Sequence, residues 1–163
     1  MTNGGATMNK KVVIAGSPNN QQEIDTWLAY FKDQHDVVLD YPNYRAEFWI
    51  EHFSGQPLDD PHFARLRNYK KEIPAMYQEH YHHLENADLF LLLNHPQKGY
   101  QGYISPVDYA DLKYLIVQNL LYNKKTKLYL LYAPSKALNY YSELNYWLSM
   151  GWVEYYPNHP SLG

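Results

Sequence analysis

With 163 residues, a formal charge of −3 and no cysteine, the chain can bury roughly 70% of its unfolded surface, and disulfides, thiolate metal sites and cysteine nucleophiles are excluded. The basic residues are scattered, with only the short runs Lys10-Lys11, Lys70-Lys71 and Lys124-Lys125, so there is no electrostatic footprint for nucleic acid or an anionic membrane. No apolar run approaches the roughly 20 residues of a spanning helix and the N-terminus lacks a signal-peptide core, which makes the cytoplasm the default compartment.

Residues 1–10 read as a disordered extension, small and polar over Met1 to Thr7, and 11–163 as a single α/β domain. Val12-Val13-Ile14-Ala15-Gly16-Ser17 reads as a strand ending in a glycine turn. Asn20 to Asp33 follows, with Ile24, Trp27, Leu28 and Phe31 on one helix face. Val37-Val38-Leu39 is a short β-branched strand closing at Asp40-Tyr41-Pro42. Asn43 to Asp60 is the least regular stretch and reads as a short helix and loop over the sheet edge. Asp59-Asp60-Pro61 has the form of a helix start, and the helical pattern runs on toward Glu85, with Pro74 kinking or dividing it near Ile73.

Asn86-Ala87-Asp88-Leu89-Phe90-Leu91-Leu92-Leu93-Asn94 carries the most information: a continuous apolar run of strand length, as expected of a strand buried on both faces of a parallel sheet. After a glycine-containing loop, Ser105-Pro106-Val107-Asp108 forms a capping-box variant that opens a helix to about Tyr122. Leu128 to Leu131 reads as the fourth strand. A last helix starts at Lys136 or Leu138 and stops at Met150 with Gly151 as its cap, and Trp152 to Tyr155 forms the fifth strand. Strictly alternating strands and helices imply right-handed crossovers and a doubly wound, five-stranded parallel α/β sheet. The expected order is the flavodoxin-like 2-1-3-4-5, with helices on both faces.

Ligands bind where the strands of such sheets end. Gly16, Ser17 and Pro18, Asp40 and Tyr41, and Gly102, Ser105 and Asp108 are therefore the candidate substrate-binding residues, with Asn94 and Asp111 as the candidate chemical ones. Asp108 and Asp111 lie one helical turn apart and share a face. Asp108 is also explained as a cap, and Asp111 also as a solvated helix carboxylate. His80 and His83 share a helix face without an HExxH pattern, and a surface or subunit-contact cluster explains them better than zinc. Neither a phosphate loop, a GxGxxG fingerprint nor a Gly-x-Ser-x-Gly elbow occurs, so no nucleotide cofactor, metal or serine nucleophile is expected. The eighteen tyrosines suit the core edge, subunit contacts or, more sharply, base stacking. Tyr140, Tyr141, Trp147, Trp152, Tyr155 and Tyr156, with residues 44–63, predict a homodimer or larger assembly.

Three segments together resemble the nucleoside 2-deoxyribosyltransferase family. Ile14-Ala15-Gly16-Ser17-Pro18 is similar to its first strand and turn. Glu85-Asn86-Ala87-Asp88-Leu89-Phe90-Leu91-Leu92 is similar to its alanine-aspartate pair opening the third strand. Ala110-Asp111-Leu112-Lys113-Tyr114, followed by Lys125 to Leu131, is similar to its nucleophile helix and next strand. The resemblance implies a protein that transfers or hydrolyses the N-glycosidic bond of a nucleoside or nucleotide, with Asp111 in the place of a nucleophilic glutamate and subunits completing one another's sites. Four departures accompany it. Asp111 is one methylene shorter, Asn94 replaces an aspartate, His80 falls where another aspartate belongs, and Gly99 to Ser105 replaces the glycine-rich approach. Two classes stay open: a glycosyl-transferring enzyme, or a non-catalytic nucleoside-binding or assembly protein that kept the fold.

Overall fold

A computed structural model describes residues 9–16, 21–39 and 71–157. Five parallel strands, β1 (Lys11–Gly16), β2 (Asp36–Leu39), β3 (Leu89–Leu93), β4 (Lys127–Leu130) and β5 (Glu154–Tyr155), lie in the order β2-β1-β3-β4-β5. Four helices, α1 (Gln21–Lys32), α2 (Glu72–Asn86), α3 (Pro106–Tyr122) and α4 (Tyr141–Ser149), alternate with them among the described residues. This is the flavodoxin-like doubly wound arrangement that the alternating pattern predicts.

Strand alternation sorts the core into two layers. Val13, Ala15, Phe90, Leu92, Leu128 and Leu130 face one way, onto Leu84 of α2, Leu112 and Leu115 of α3, and Leu144 and Trp147 of α4. Val12, Ile14, Leu91 and Leu93 face the other, onto Ile24, Trp27 and Phe31 of α1. The uninterrupted apolar sequence of β3 follows directly, since each of its residues meets a helix layer on one side or the other. At the amino edge, Asp88 Oδ2 accepts a hydrogen bond from the Lys11 amide at 2.8 Å, so the Ala87-Asp88 pair fixes where β1 and β3 begin.

Local boundaries have local causes. Pro74 is the third residue of α2, in the first turn, where its missing N–H has no intrahelical partner to lose; the helical pattern expected before residue 71 lies outside the described residues. The expected helix start at Asp59-Asp60-Pro61 lies outside the described residues. Ser105 caps α3 as the sequence indicates: its hydroxyl accepts from the Asp108 amide at 3.1 Å and donates to Asp108 Oδ2 at 2.7 Å. The last helix begins later than its sequence suggests, because Leu138 to Tyr141 first make a turn closed by the Tyr141 amide on the Leu138 carbonyl. It ends in a Schellman motif, with Gly151 at φ +71°, its amide on Leu148 O and the Trp152 amide on Trp147 O.

The loop between β3 and α3 packs on the loop that follows β4. Gln97 and Tyr100 close a tight turn through Lys98 and Gly99, both at positive φ, and the Ser135 amide bonds the Gly102 carbonyl. Gly102 sits at φ +64°, and a Cβ there would come within 2.0 Å of the Ala133 carbonyl oxygen, whereas a Cβ on Gly99 meets open space. Gly102→Ala is therefore expected to destabilise the fold by more than about 2 kcal/mol, from strain plus overpacking. Gly99→Ala should cost only about 1 to 2 kcal/mol. Urea denaturation of the two variants checks the order, and equal losses would refute it.

Candidate functional site

The sheet order changes direction between β1 and β3, which makes their carboxyl ends the place for a ligand crevice. Gly16 closes β1 there, in register with Leu93, and a Cβ at Gly16 would stand 2.7 Å from the Leu93 Cβ. The glycine is thus required by the close approach of the two strands at the carboxyl edge of the sheet. Ser17, Pro18, Asp40 and Tyr41, expected beside it, lie outside the described residues. Gly102 serves the loop contact above, and Ser105 and Asp108 serve each other and the start of α3.

Asn94 follows β3 at the centre of this edge and is fully buried. Its Oδ1 accepts from the Leu131 and Tyr132 amides, both at 3.0 Å, and its Nδ2 donates to the Tyr132 carbonyl at 2.7 Å. One amide side chain therefore supplies the donor and the acceptors that the end of β4 needs once the ladder stops. A carboxylate could accept the two N–H bonds but would set an oxygen against the Tyr132 carbonyl. An amide, and not a carboxylate, therefore fits this position.

Asp111 is not a solvated helix carboxylate. It is 3% exposed, faces α2, and its Oδ1 lies 2.9 Å from His80 Nε2. His80, 8% exposed, belongs to the buried stripe Met76, His80 and Leu84, so the expectation of a surface histidine cluster is corrected for this residue. His82 is exposed and His83 half-buried. Among the described residues no group of three or more potential metal-ligating side chains assembles.

A second acid and imidazole meet across the other face of the sheet. Glu23, in the first turn of α1, places Oε2 3.1 Å from Nε2 of His95, the residue after Asn94, and the two are 5% and 8% exposed. The rings of His95 and Tyr132 stand 5.6 Å apart, and burial, with the Glu23 charge second, pushes the Tyr132 phenol above its ordinary range. Sequence reasoning missed this pair because 72 positions separate its members. The available signal was Glu23 lying in helical register with Trp27 and Phe31 on a stripe that should be apolar.

A separate cavity of about 340 Å³ opens at the opposite, amino edge of the sheet, between the end of α3 and the strands β4 and β5. It is lined in part by Ile116, Asn119, Lys125, Leu128 and Trp152. It holds neither acid–imidazole pair and lies away from the switch in strand order, so the chemistry is sought at the carboxyl edge. Among the described residues no helix is long and apolar enough to cross a membrane. The aromatic residues expected at a subunit contact divide: Trp147 is in the core, Tyr140, Tyr141 and Trp152 pack against it, Tyr156 packs on the α1 layer and Tyr155 is exposed. Residues 44–63 lie outside the described residues. No family model, curated protein or solved structure matches the chain at a significant level.

Two outcomes test these assignments. Asn94→Asp should lower stability by about 1 to 3 kcal/mol, because the replacement loses a donor and buries repulsion; an unchanged melting midpoint would remove the clasp role. His80→Ala and Asp111→Ala should each cost about 3 to 5 kcal/mol by orphaning a buried partner, and the double variant clearly less than their sum. Strict additivity in a double-mutant cycle would show that the pair is not coupled.

Proposed function

We propose that this chain is a nucleoside 2-deoxyribosyltransferase-like protein that transfers or hydrolyses the N-glycosidic bond of a nucleoside or nucleotide held at the carboxyl edge. The observation that carries the reading is the buried Asp111 carboxylate, held by His80 at 2.9 Å on the helix that follows the central strand. The resemblance puts the nucleophile at that position.

A carboxylate suits this chemistry because the transition state at the anomeric carbon is oxocarbenium-like and cationic. Asp111 would form the C–O bond as the C–N bond breaks, and the departing base would keep the bonding electron pair. A second base nitrogen or water would then displace the carboxylate. His80 touches the carboxylate and acts through it: its Nε2–H, donated to Oδ1, orients the group and keeps it anionic. Apolar surroundings that keep bulk water from the carboxylate favour transfer to a bound acceptor over hydrolysis.

One observation favours a second reading, a nucleoside-binding protein without turnover. Asn94 stands where the family carries an acid, and its amide is engaged with the β4 backbone. Incubation with a panel of 2′-deoxynucleosides and free bases, followed by chromatography, separates the two. Base exchange or release is expected, lost more than about a hundredfold in Asp111→Asn, which keeps the shape and the His80 contact. Asp111→Glu moves the carboxylate by about 1.5 Å and is expected to change the rate by a similar factor. A raised melting temperature without turnover would favour the binding reading, at about 2.7 kcal/mol for ligand at a hundred times its dissociation constant. Neither turnover nor a shift would overturn both.

A further inference from the structure

We propose that Glu23 and His95 form the acid–base dyad that handles the nucleobase, with His95 exchanging the proton and Glu23 as its positioning residue. The inference rests on the reading of the site as one for N-glycosidic chemistry, and it adds what that reading lacks, a proton donor for the leaving base.

Three observations converge on the pair. The first is place: Glu23 opens α1 after β1, His95 follows β3, and β1 and β3 are the strands between which the sheet order reverses. The second is burial: a carboxylate and an imidazole 3.1 Å apart sit on an otherwise apolar stripe, where well-packed hydrophobic side chains would serve stability as well or better. The favourable position of an acid in a first helical turn accounts for Glu23 at the N-terminus of α1 but not for its burial against a histidine. The third is separation from the other pair. His80 and Asp111 lie on the α2 and α3 face and Glu23 and His95 on the α1 face, so the two ionisable pairs stand on opposite faces of the sheet, with His95 directly after the carboxyl end of β3. Sites that form and break a C–N bond need this division, with a group for the sugar carbon and another for the base.

The proton balance is closed. As the C1′–N bond breaks, its electron pair stays on the base nitrogen, which takes a proton from the His95 imidazolium. The anomeric carbon is captured by Asp111. In the second half, a base N–H or water attacks C1′, the Asp111 carboxylate leaves with its electron pair, and neutral His95 takes the proton from the attacking atom. Glu23, 3.1 Å away, positions the His95 ring and favours its imidazolium form through its charge. Among the described residues, the titratable groups that face His95 are Glu23 from α1 and Tyr132 from the segment after β4. The expected ligand class is a nucleoside whose base bears a ring nitrogen of low acidity, for which protonation decides the rate.

The experiment compares leaving groups on the full-length protein. Base release from 2′-deoxyadenosine and 2′-deoxyinosine needs a proton donor, whereas release of 4-nitrophenolate from 4-nitrophenyl 2-deoxyriboside does not. His95→Gln is expected to slow the first by about 10²- to 10⁴-fold and the second by less than about threefold. Glu23→Gln should move the alkaline fall of the deoxynucleoside rate to lower pH, because losing the carboxylate lowers the pKa of the imidazolium that supplies the proton. Circular dichroism checks that each variant is folded, and the nitrophenyl substrate itself reports an intact sugar site. Equal losses on both substrates, or no loss on either, overturn the dyad while an inactive Asp111→Asn keeps the N-glycosidic reading. A wild-type protein that cleaves neither substrate overturns both.

Discussion

The end of the central strand is held by one side chain. Where β3 and β4 stop pairing, three partly buried backbone groups of Leu131 and Tyr132 lose their ladder partners, and the Asn94 amide satisfies all three. An orphaned buried group costs about 1 to 3 kcal/mol, so this clasp decides whether the carboxyl edge of the sheet is a rigid floor or a frayed end. The neighbouring features depend on it. Gly16 lets β1 close up on Leu93 one residue below, and Gly102 lets the next loop lie on the Ala133 carbonyl just beyond the clasped segment. The Tyr140 hydroxyl completes the arrangement by donating to the Ile104 carbonyl, which ties the loop after β3 to the segment after β4.

On that floor the molecule places charge where a purely structural protein would place hydrocarbon. Each of the four residues Glu23, His80, His95 and Asp111 stands on a helix stripe or strand end whose neighbours are apolar, and each is more than nine-tenths buried. Desolvating a carboxylate is offset only by a close partner: His80 hydrogen-bonds Asp111 at 2.9 Å, and the His95 imidazole stands 3.1 Å from Glu23. The helix starts contribute in proportion to distance. Glu23 lies within the first turn of α1, where the dipole favours an anion, while Asp111 is roughly 9 Å along α3 from its cap, beyond the reach of that effect. Asp111 therefore depends on His80 more than Glu23 depends on His95. A different network stiffens the outer side of α3, where Glu143 of α4 accepts from the Tyr109 hydroxyl and pairs with Lys113 at 2.9 Å. The Tyr109 bond, then that to Lys113, holds its carboxyl below the usual range.

The fold was legible because its determinants are local. Five apolar segments of strand length, helical spacing between them, Ser105 three residues before Asp108 and Gly151 after Met150 each act within a turn or two of chain. The order of the strands then follows from general rules of connection. The pairs escaped because they join positions 31 and 72 apart, and residue spacing carries no information about which helix faces which. What spacing could have shown is the anomaly itself. His80 between Met76 and Leu84, Asp111 before Leu115, and Glu23 before Trp27 are ionisable residues at i and i±4 of a buried stripe. Asn94 escaped for another reason, since the resemblance draws attention to the acid it lacks and away from the backbone groups it serves.

The tyrosine-rich composition has a structural use on the α1 face. Among the described residues α1 is the one helix there, set against three on the other side, and β5 is two residues long at the sheet edge. Tyr156, just past β5, fills the space: its ring stands 5.3 Å from Trp27, 5.8 Å from Phe31 and 5.1 Å from Tyr129. Burial first, and then a hydrogen bond with Tyr30, raises its phenol well above the ordinary value. A tyrosine seals an apolar face while keeping a hydroxyl at the rim, which a leucine cannot do. The consequence reaches the site, because Trp27 is one helical turn from Glu23. The same aromatic cluster packs against α1 and fixes its roll, and with it the carboxylate that meets His95 at the centre of the sheet.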